Sequence, residues 1–213
     1  LLGIGNQVAA EEAARHPSEV DEGIQKKLLQ ELKNYFFVGG MPESVIVYGE
    51  THSLLESFKV QKEIIESYRE DFAKYNPRID RGCLDAVLLS VARQVGAQIK
   101  YTRLDDNRSG PTNRRAFDAL CKARVVHKIA ACNPPGLPLG AGASEKRFKA
   151  VLADIGLLQN LCQVPVDLEL REEDLLAIYR GKLAEQFVAQ ELIASHASEL
   201  FYWAREARGS SAE

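Results

Sequence analysis

One acidic residue, Glu185, stands on a predicted helix at a position where a metal-dependent nuclease would carry a carboxylate. The helix is expected to begin after Arg171, with acids in its first turn, where the helix dipole favours them. Its apolar residues recur at three- and four-residue steps. They are Leu175, Leu176, Tyr179, Leu183, Phe187, Val188 and Leu192. The following run at 200–203 favours a β-strand, and residues 206–211 are typical of a turn.

A magnesium-dependent nuclease needs more than one such carboxylate. An acid on a following strand and an acid-x-Lys pair complete the site, so that the metal is held and the attacking water is assisted. Glu185 fits the first role, as catalytic acid and metal ligand, although an ordinary solvent-facing glutamate is the alternative. Glu213 can lie beside the second acid position, but no acid-x-Lys pair follows it in this sequence. We therefore expect an incomplete nuclease-like site.

A second set of candidate residues is basic. Residues 78–150 contain 14 lysines and arginines against 6 acids, whereas the rest of the chain contains 13 basic and 24 acidic residues. This asymmetry favours an anionic partner such as DNA, although a solvated protein surface also explains it. The candidate nucleic-acid contacts are Arg108, Asn113, Arg114, Arg115 and Lys122. Because asparagine is a good N-cap, Asn113 is expected to start the helix that carries the last three.

Nucleotide and metal motifs are not found in this sequence. A phosphate-binding loop needs Gly, four residues, then Gly-Lys-Ser/Thr. Around Gly181-Lys182, Leu176 stands in place of the first glycine and Leu183 in place of the hydroxyl residue. The 4 cysteines and 4 histidines are scattered. We therefore expect reduced thiols rather than a disulfide framework or zinc site.

Composition indicates a soluble globular protein, and the scattered cysteines favour a cytoplasmic one. The chain has 213 residues, 46% of them hydrophobic, and a mean hydropathy of -0.21. No apolar run approaches the roughly 18–20 residues of a membrane helix, so no membrane contact is expected. The first residues lack an initiator Met and a basic flank. We expect them to be the edge of a longer protein rather than a signal peptide.

The predicted fold is mainly α with small β parts, in three domains. Residues 1–76 are expected to form a helical lid-like segment, in which Gly39-Gly40 ends one helix and Pro42 starts the next. Residues 77–152 combine helices with strands near 125–131 and 148–152, which is the order of a winged helix. Residues 153–213 are expected to form the first half of an α/β domain of the restriction-endonuclease type.

Six segments carry a family resemblance. They are GGMPE at 39–43, YREDFAKY at 68–75, NRRAFDAL at 113–120, FKAVLADIGL at 148–157, YRGKLAEQFVAQEL at 179–192 and FYW at 201–203. Together they resemble a large prokaryotic family of AAA-type P-loop ATPases that carry a C-terminal domain of unknown function related to the PD-(D/E)XK nucleases. The resemblance covers nearly the whole chain.

This resemblance implies the C-terminal part of an ATP-driven protein. ATP and magnesium would bind in an ATPase core outside this sequence, and homo-oligomers would form through that core. The resemblance also implies a winged-helix segment and a truncated nuclease-like domain, with Glu185 at the position of the helix acid beside an incomplete magnesium site. No cofactor is expected to bind these residues, and they are expected to be inactive alone.

Three functions stay open on the sequence alone. The first is DNA contact through the winged helix of an AAA-type ATPase. The second is a magnesium-dependent nuclease that uses Glu185 in the intact protein. The third is a non-catalytic module whose winged helix docks another protein.

Overall fold

The described part of the chain is mainly helical, with a small β-sheet, as the sequence predicts. A computed structural model describes residues 8, 11, 14–15, 21–75, 79–133, 138–164, 177–195 and 199–204. The chain divides into two compact units. The first unit consists of Leu1–Ser67 and Asp154–Glu173, and the second consists of Tyr68–Ala153 and Asp174–Glu213. The division into a lid-like segment, a winged helix and a nuclease-like domain stays a prediction.

The elements follow in a simple order. They are α1 (Glu22–Val38), α2 (Pro42–Thr51), α3 (Leu54–Tyr75), α4 (Arg81–Arg93), a 3-10 turn (Tyr101–Arg103), α5 (Gly110–Lys122), β1 (Val126–Cys132), a 3-10 turn (Leu139–Gly142), β2 (Ala143–Leu152), α6 (Ile155–Leu161), α7 (Ala177–Ser195) and β3 (Phe201–Trp203). Within the ranges given above, none of these helices is both long and apolar enough to cross a bilayer.

The turn between α1 and α2, in the first unit, is held by a buried carboxylate. Gly39 adopts φ 67 and ψ -163, a region that is essentially restricted to glycine. The N–H of Gly40 donates to Asp154 Oδ2 at 2.6 Å, and Asp154 Oδ1 accepts the N–H of Leu157 at the start of α6. Burial raises the pKa of Asp154, whereas these two backbone donors favour its charged form. The predicted Gly39-Gly40 break therefore depends on an acid that is distant in sequence.

A buried amide from α3 satisfies the C-terminal end of α1. The last carbonyls of a helix have no partner inside the helix. The fully buried Gln61 donates from Nε2 to the carbonyls of Phe37 and Val38, at 2.6 and 2.9 Å. The hydroxyl of Ser44 on α2 also donates to the carbonyl of Val38, at 2.7 Å. These bonds connect three helices of the first unit around one helix end.

Replacing Gly39 by alanine should lower the free energy of unfolding by about 1–3 kcal/mol, because the backbone region is unfavourable for any side chain. The added Cβ would also collide with the carboxylate of Asp154. Gly49→Ala is the matched control, because a Cβ there meets no atom within 4 Å. Urea unfolding of both variants tests this, and equal stability of the two would contradict the account of the turn.

The second unit is built around a three-stranded mixed sheet of order β2-β1-β3. Strand β1 pairs antiparallel with β2, from Val126 opposite Leu152 to Cys132 opposite Ala143, with a register shift after Ala130. It pairs parallel with β3 from Ala130 opposite Phe201 onward. The predicted strands near 125–131, 148–152 and 201–203 are thus present, and they share one sheet.

Helices of the second unit cover both faces of this sheet. Helices α4 and α5 pack on one face, where the buried side chains are Leu84, Val87, Leu88, Val91, Ala116, Phe117, Leu120, Phe148, Ala150 and Leu152. On the other face, Ile129 and Val151 pack against Ala189 of α7. The sheet therefore fixes how α5 is presented, and α5 carries most of the candidate basic residues.

The predicted apolar stripe of α7 is wrong in part. Leu183 is buried as expected, but Val188 is 53% exposed and Leu192 39% exposed. The fully buried Gln186 takes a position on the inner face instead. Leu175, Leu176, the turn at 206–211 and Glu213 lie outside the described residues.

Candidate nucleic-acid interface

Asn113 is not the N-cap of α5, so that prediction is wrong. The helix begins at Gly110, and the side chain of Ser109 accepts the N–H of Thr112. Asn113 lies inside the first turns, fully buried, and its Nδ2 donates at 2.9 Å to the carbonyls of Tyr101 and Asp105. In this position it does not reach a base edge. It fixes the 3-10 turn, and with it Tyr101, to α5.

Arg108 is also engaged within the protein. Its Nη2 lies 2.6 Å from Asp80 Oδ1, and its Nε lies 3.0 Å from Asp105 Oδ2. These two ion pairs connect the start of α4 with the loop before α5. A phosphate would have to compete with two carboxylates for this guanidinium group, so Arg108 is less available for nucleic acid than the sequence indicates.

The three remaining candidates are exposed on α5. Arg114, Arg115 and Lys122 point away from the face that Ala116, Phe117 and Leu120 bury against the sheet. Two further exposed basic residues follow in the chain. Arg124 lies in the turn after α5 with φ 59, and Lys128 lies on β1. We call Arg114, Arg115, Lys122, Arg124 and Lys128 the basic face.

Tyr101 joins the two elements of the basic face. The Arg114 guanidinium lies 5.7 Å from the centroid of its ring, and Lys128 Nζ lies 3.5 Å from its hydroxyl. Burial raises the pKa of Tyr101 to about 12, and the nearby Asp118 carboxylate acts in the same direction. A tyrosine phenol is protonated at neutral pH even at its ordinary pKa of about 10, so two cations converge on a neutral aromatic group. Sequence spacing gave no signal for Tyr101 or Lys128, since both contacts are non-local.

Glu185 is paired with a lysine in this structure. Lys149 Nζ of β2 lies 2.9 and 2.7 Å from the two carboxylate oxygens of Glu185. The pair lines a cavity of about 350 Å³ whose walls include Val188 and Tyr202. A metal ion at Glu185 would have to displace the ammonium group. Its catalytic and metal-binding roles stay predictions.

The next residue, Gln186, makes the more buried connection between α7 and β2. Its Oε1 accepts the N–H of Leu152 at 2.9 Å, and its Nε2 donates to the carbonyl of Leu152 at 2.7 Å. This side chain thus satisfies both backbone groups of Leu152, which lie on the edge of β2 that faces away from β1. Sequence reasoning missed Gln186, because a polar residue beside an apolar stripe predicts exposure.

Replacing Gln186 by leucine should lower the free energy of unfolding by about 2–4 kcal/mol, because two buried backbone groups lose their partners. Glu185→Gln is the control. Its ion pair with Lys149 is partly exposed, and such pairs contribute about 1 kcal/mol or less. Denaturant unfolding of both variants measures the difference. A larger loss for Glu185→Gln than for Gln186→Leu would contradict this assignment.

Comparison with known proteins gives one finding about the family. Residues 29–171 match a family model described as Domain of unknown function (DUF8612). No curated protein and no solved structure matches the chain. The matched range contains the whole basic face and ends before α7, which carries Glu185.

Proposed function

The chain belongs to the DUF8612 family, and we propose that its second unit contacts duplex DNA through the basic face. The single observation that carries this proposal is the meeting of Arg114 and Lys128 at Tyr101. Basic side chains from a helix and from the following hairpin are brought together there, at a partly buried aromatic ring. Exposed lysines and arginines neutralise phosphates and release counterions, which supplies much of the affinity of DNA-binding proteins.

The order of elements supports a winged-helix-like module. Helix α4 is followed by Ile99, which bridges to Phe148 of β2, then by the 3-10 turn, α5 and the β1–β2 hairpin. In this proposal α5 lies along the major groove, which admits an α-helix. Lys128 on the hairpin then contacts the neighbouring backbone. The exposed positions of α5 fit this role, since its apolar face is fully used by the core.

Replacing Arg115 or Lys122 by alanine should weaken duplex binding and make it less sensitive to salt. For each phosphate that the variant no longer neutralises, the slope of log K against log salt should become shallower by about 0.9. Fluorescence anisotropy with a labelled duplex over a salt series gives this slope. Lys62→Ala is the charge-matched control, because Lys62 is exposed on α3 in the first unit.

Two outcomes would overturn the DNA proposal. One is no duplex binding at low salt, which would favour a protein partner for this module. The other is an equal change in slope for Lys62→Ala and Lys122→Ala, which would show that net charge rather than the basic face sets the affinity.

We also propose that this surface serves a nucleotide-driven protein, on the resemblance to AAA-type ATPases. ATP and magnesium would act in a core outside this sequence, and the basic face would couple that core to DNA. The full-length gene product should then hydrolyse ATP faster when duplex is added, and the Arg115→Ala, Lys122→Ala double variant should lose this stimulation. Absence of ATP hydrolysis by the full-length protein would contradict the coupling without affecting DNA binding.

A further inference from the structure

We propose that Arg114 and Asp118 form a coupled pair that reads G·C base pairs, so that the protein prefers particular duplex sequences. This inference rests on the proposed function, because it requires α5 to face the edges of bases. It assigns different roles to two adjacent arginines, with Arg114 reading bases and Arg115 neutralising phosphate.

The first observation is an acid in the middle of a basic helix face. Asp118 is the single acid of α5. Its Oδ2 lies 3.6 Å from Arg114 Nε, and the two side chains are 55% and 58% exposed. A carboxylate that faces a polyanion is repelled by the phosphates, so Asp118 opposes non-specific binding. It favours binding where a base offers it a hydrogen-bond donor.

The second observation is the match between this pair and the groove edges of a G·C pair. Arginine donates two hydrogen bonds to guanine O6 and N7, and aspartate accepts one from the cytosine N4 amino group. Residues four apart on a helix are separated by about 6 Å along its axis. Arg114 and Asp118 can therefore address the same or neighbouring base pairs.

The third observation is that Arg114 already contacts two side chains before any ligand binds. Its guanidinium lies over the Tyr101 ring and beside Asp118. Tyr101 is fixed by the Asn113 bond to its carbonyl and by ring contacts to Phe117 and Phe148. Contacts that restrict a side chain reduce the entropy that it loses when it forms directional bonds.

Arg115 provides the contrast. It is exposed one position further along α5, and its side chain forms no hydrogen bond or ion pair with the described residues. An unrestrained guanidinium suits a phosphate, which can be approached from many directions. Sequence reading is favoured by contacts that restrict a side chain, such as those of Arg114 with Tyr101 and Asp118.

The test is selection of duplexes from a random-sequence pool with the full chain, followed by anisotropy with the enriched duplex and a scrambled one. The wild type should enrich a site with a G·C core. Arg114→Lys, which keeps the charge, and Asp118→Asn should each reduce the preference by roughly 5- to 150-fold. Asp118→Asn should at the same time strengthen binding to the scrambled duplex. Arg115→Lys is the matched control and should keep the preference.

Each other outcome overturns the inference in a distinguishable way. Equal binding to all duplexes would contradict the base-reading role of Arg114 and Asp118 and leave the DNA proposal intact. A sequence preference that persists in both the Arg114→Lys and the Asp118→Asn variant would also contradict this role. No binding to any duplex would overturn both proposals. Because both side chains are more than half exposed, neither substitution removes a buried contact, and thermal unfolding confirms that each variant is folded.

Discussion

Three aromatic rings decide how α5 is presented by the second unit. Phe117 of α5 lies 5.2 Å from Phe148 of β2, and Tyr101 lies 5.6 Å from Phe117 and 4.9 Å from Phe148, between ring centroids. Such pairs contribute about 0.5–1.5 kcal/mol each beyond the area they bury. The helix, the 3-10 turn and the hairpin thus share one packing point, and this packing sets the orientation of the exposed side chains of α5.

The same cluster connects the core to the surface. Tyr101 packs against Phe148 and also lies close to Arg114 and Lys128. The buried Asn113 donates a hydrogen bond from its side-chain amide to the carbonyl of Tyr101. Asn113, which is expected from the sequence to contact nucleic acid, is therefore buried, and it supports the exposed residues by fixing Tyr101.

Local patterns predicted the elements of this fold well. Gly39 ends α1 and Pro42 starts α2, as the turn-forming residues indicate, and the strands predicted near 125–131 and 148–152 are present within β1 and β2. The start of α5 was predicted wrongly, because Asn113 and Ser109 are both good caps and the choice depends on burial. Contacts such as that of Lys128 with Tyr101 join residues far apart in the chain, so no spacing rule indicates them.

Adjacent residues on α7 show the same limit. Periodicity identified Glu185 as a polar residue beside an apolar stripe, and it pairs with Lys149 at the surface of the second unit. Its neighbour Gln186 is polar too, yet it is fully buried against Leu152. A hydropathy pattern treats the two alike, because it does not include the backbone groups at the edge of β2 that need partners.

The contact surface itself can be mapped directly. Amide chemical shifts of the full chain, followed by NMR as a duplex is added, report which backbone sites meet the DNA. The account predicts that the changes concentrate on α5, the turn at Arg124 and Lys128 of β1. Changes confined to the first unit, or to α7 around Glu185, would contradict it.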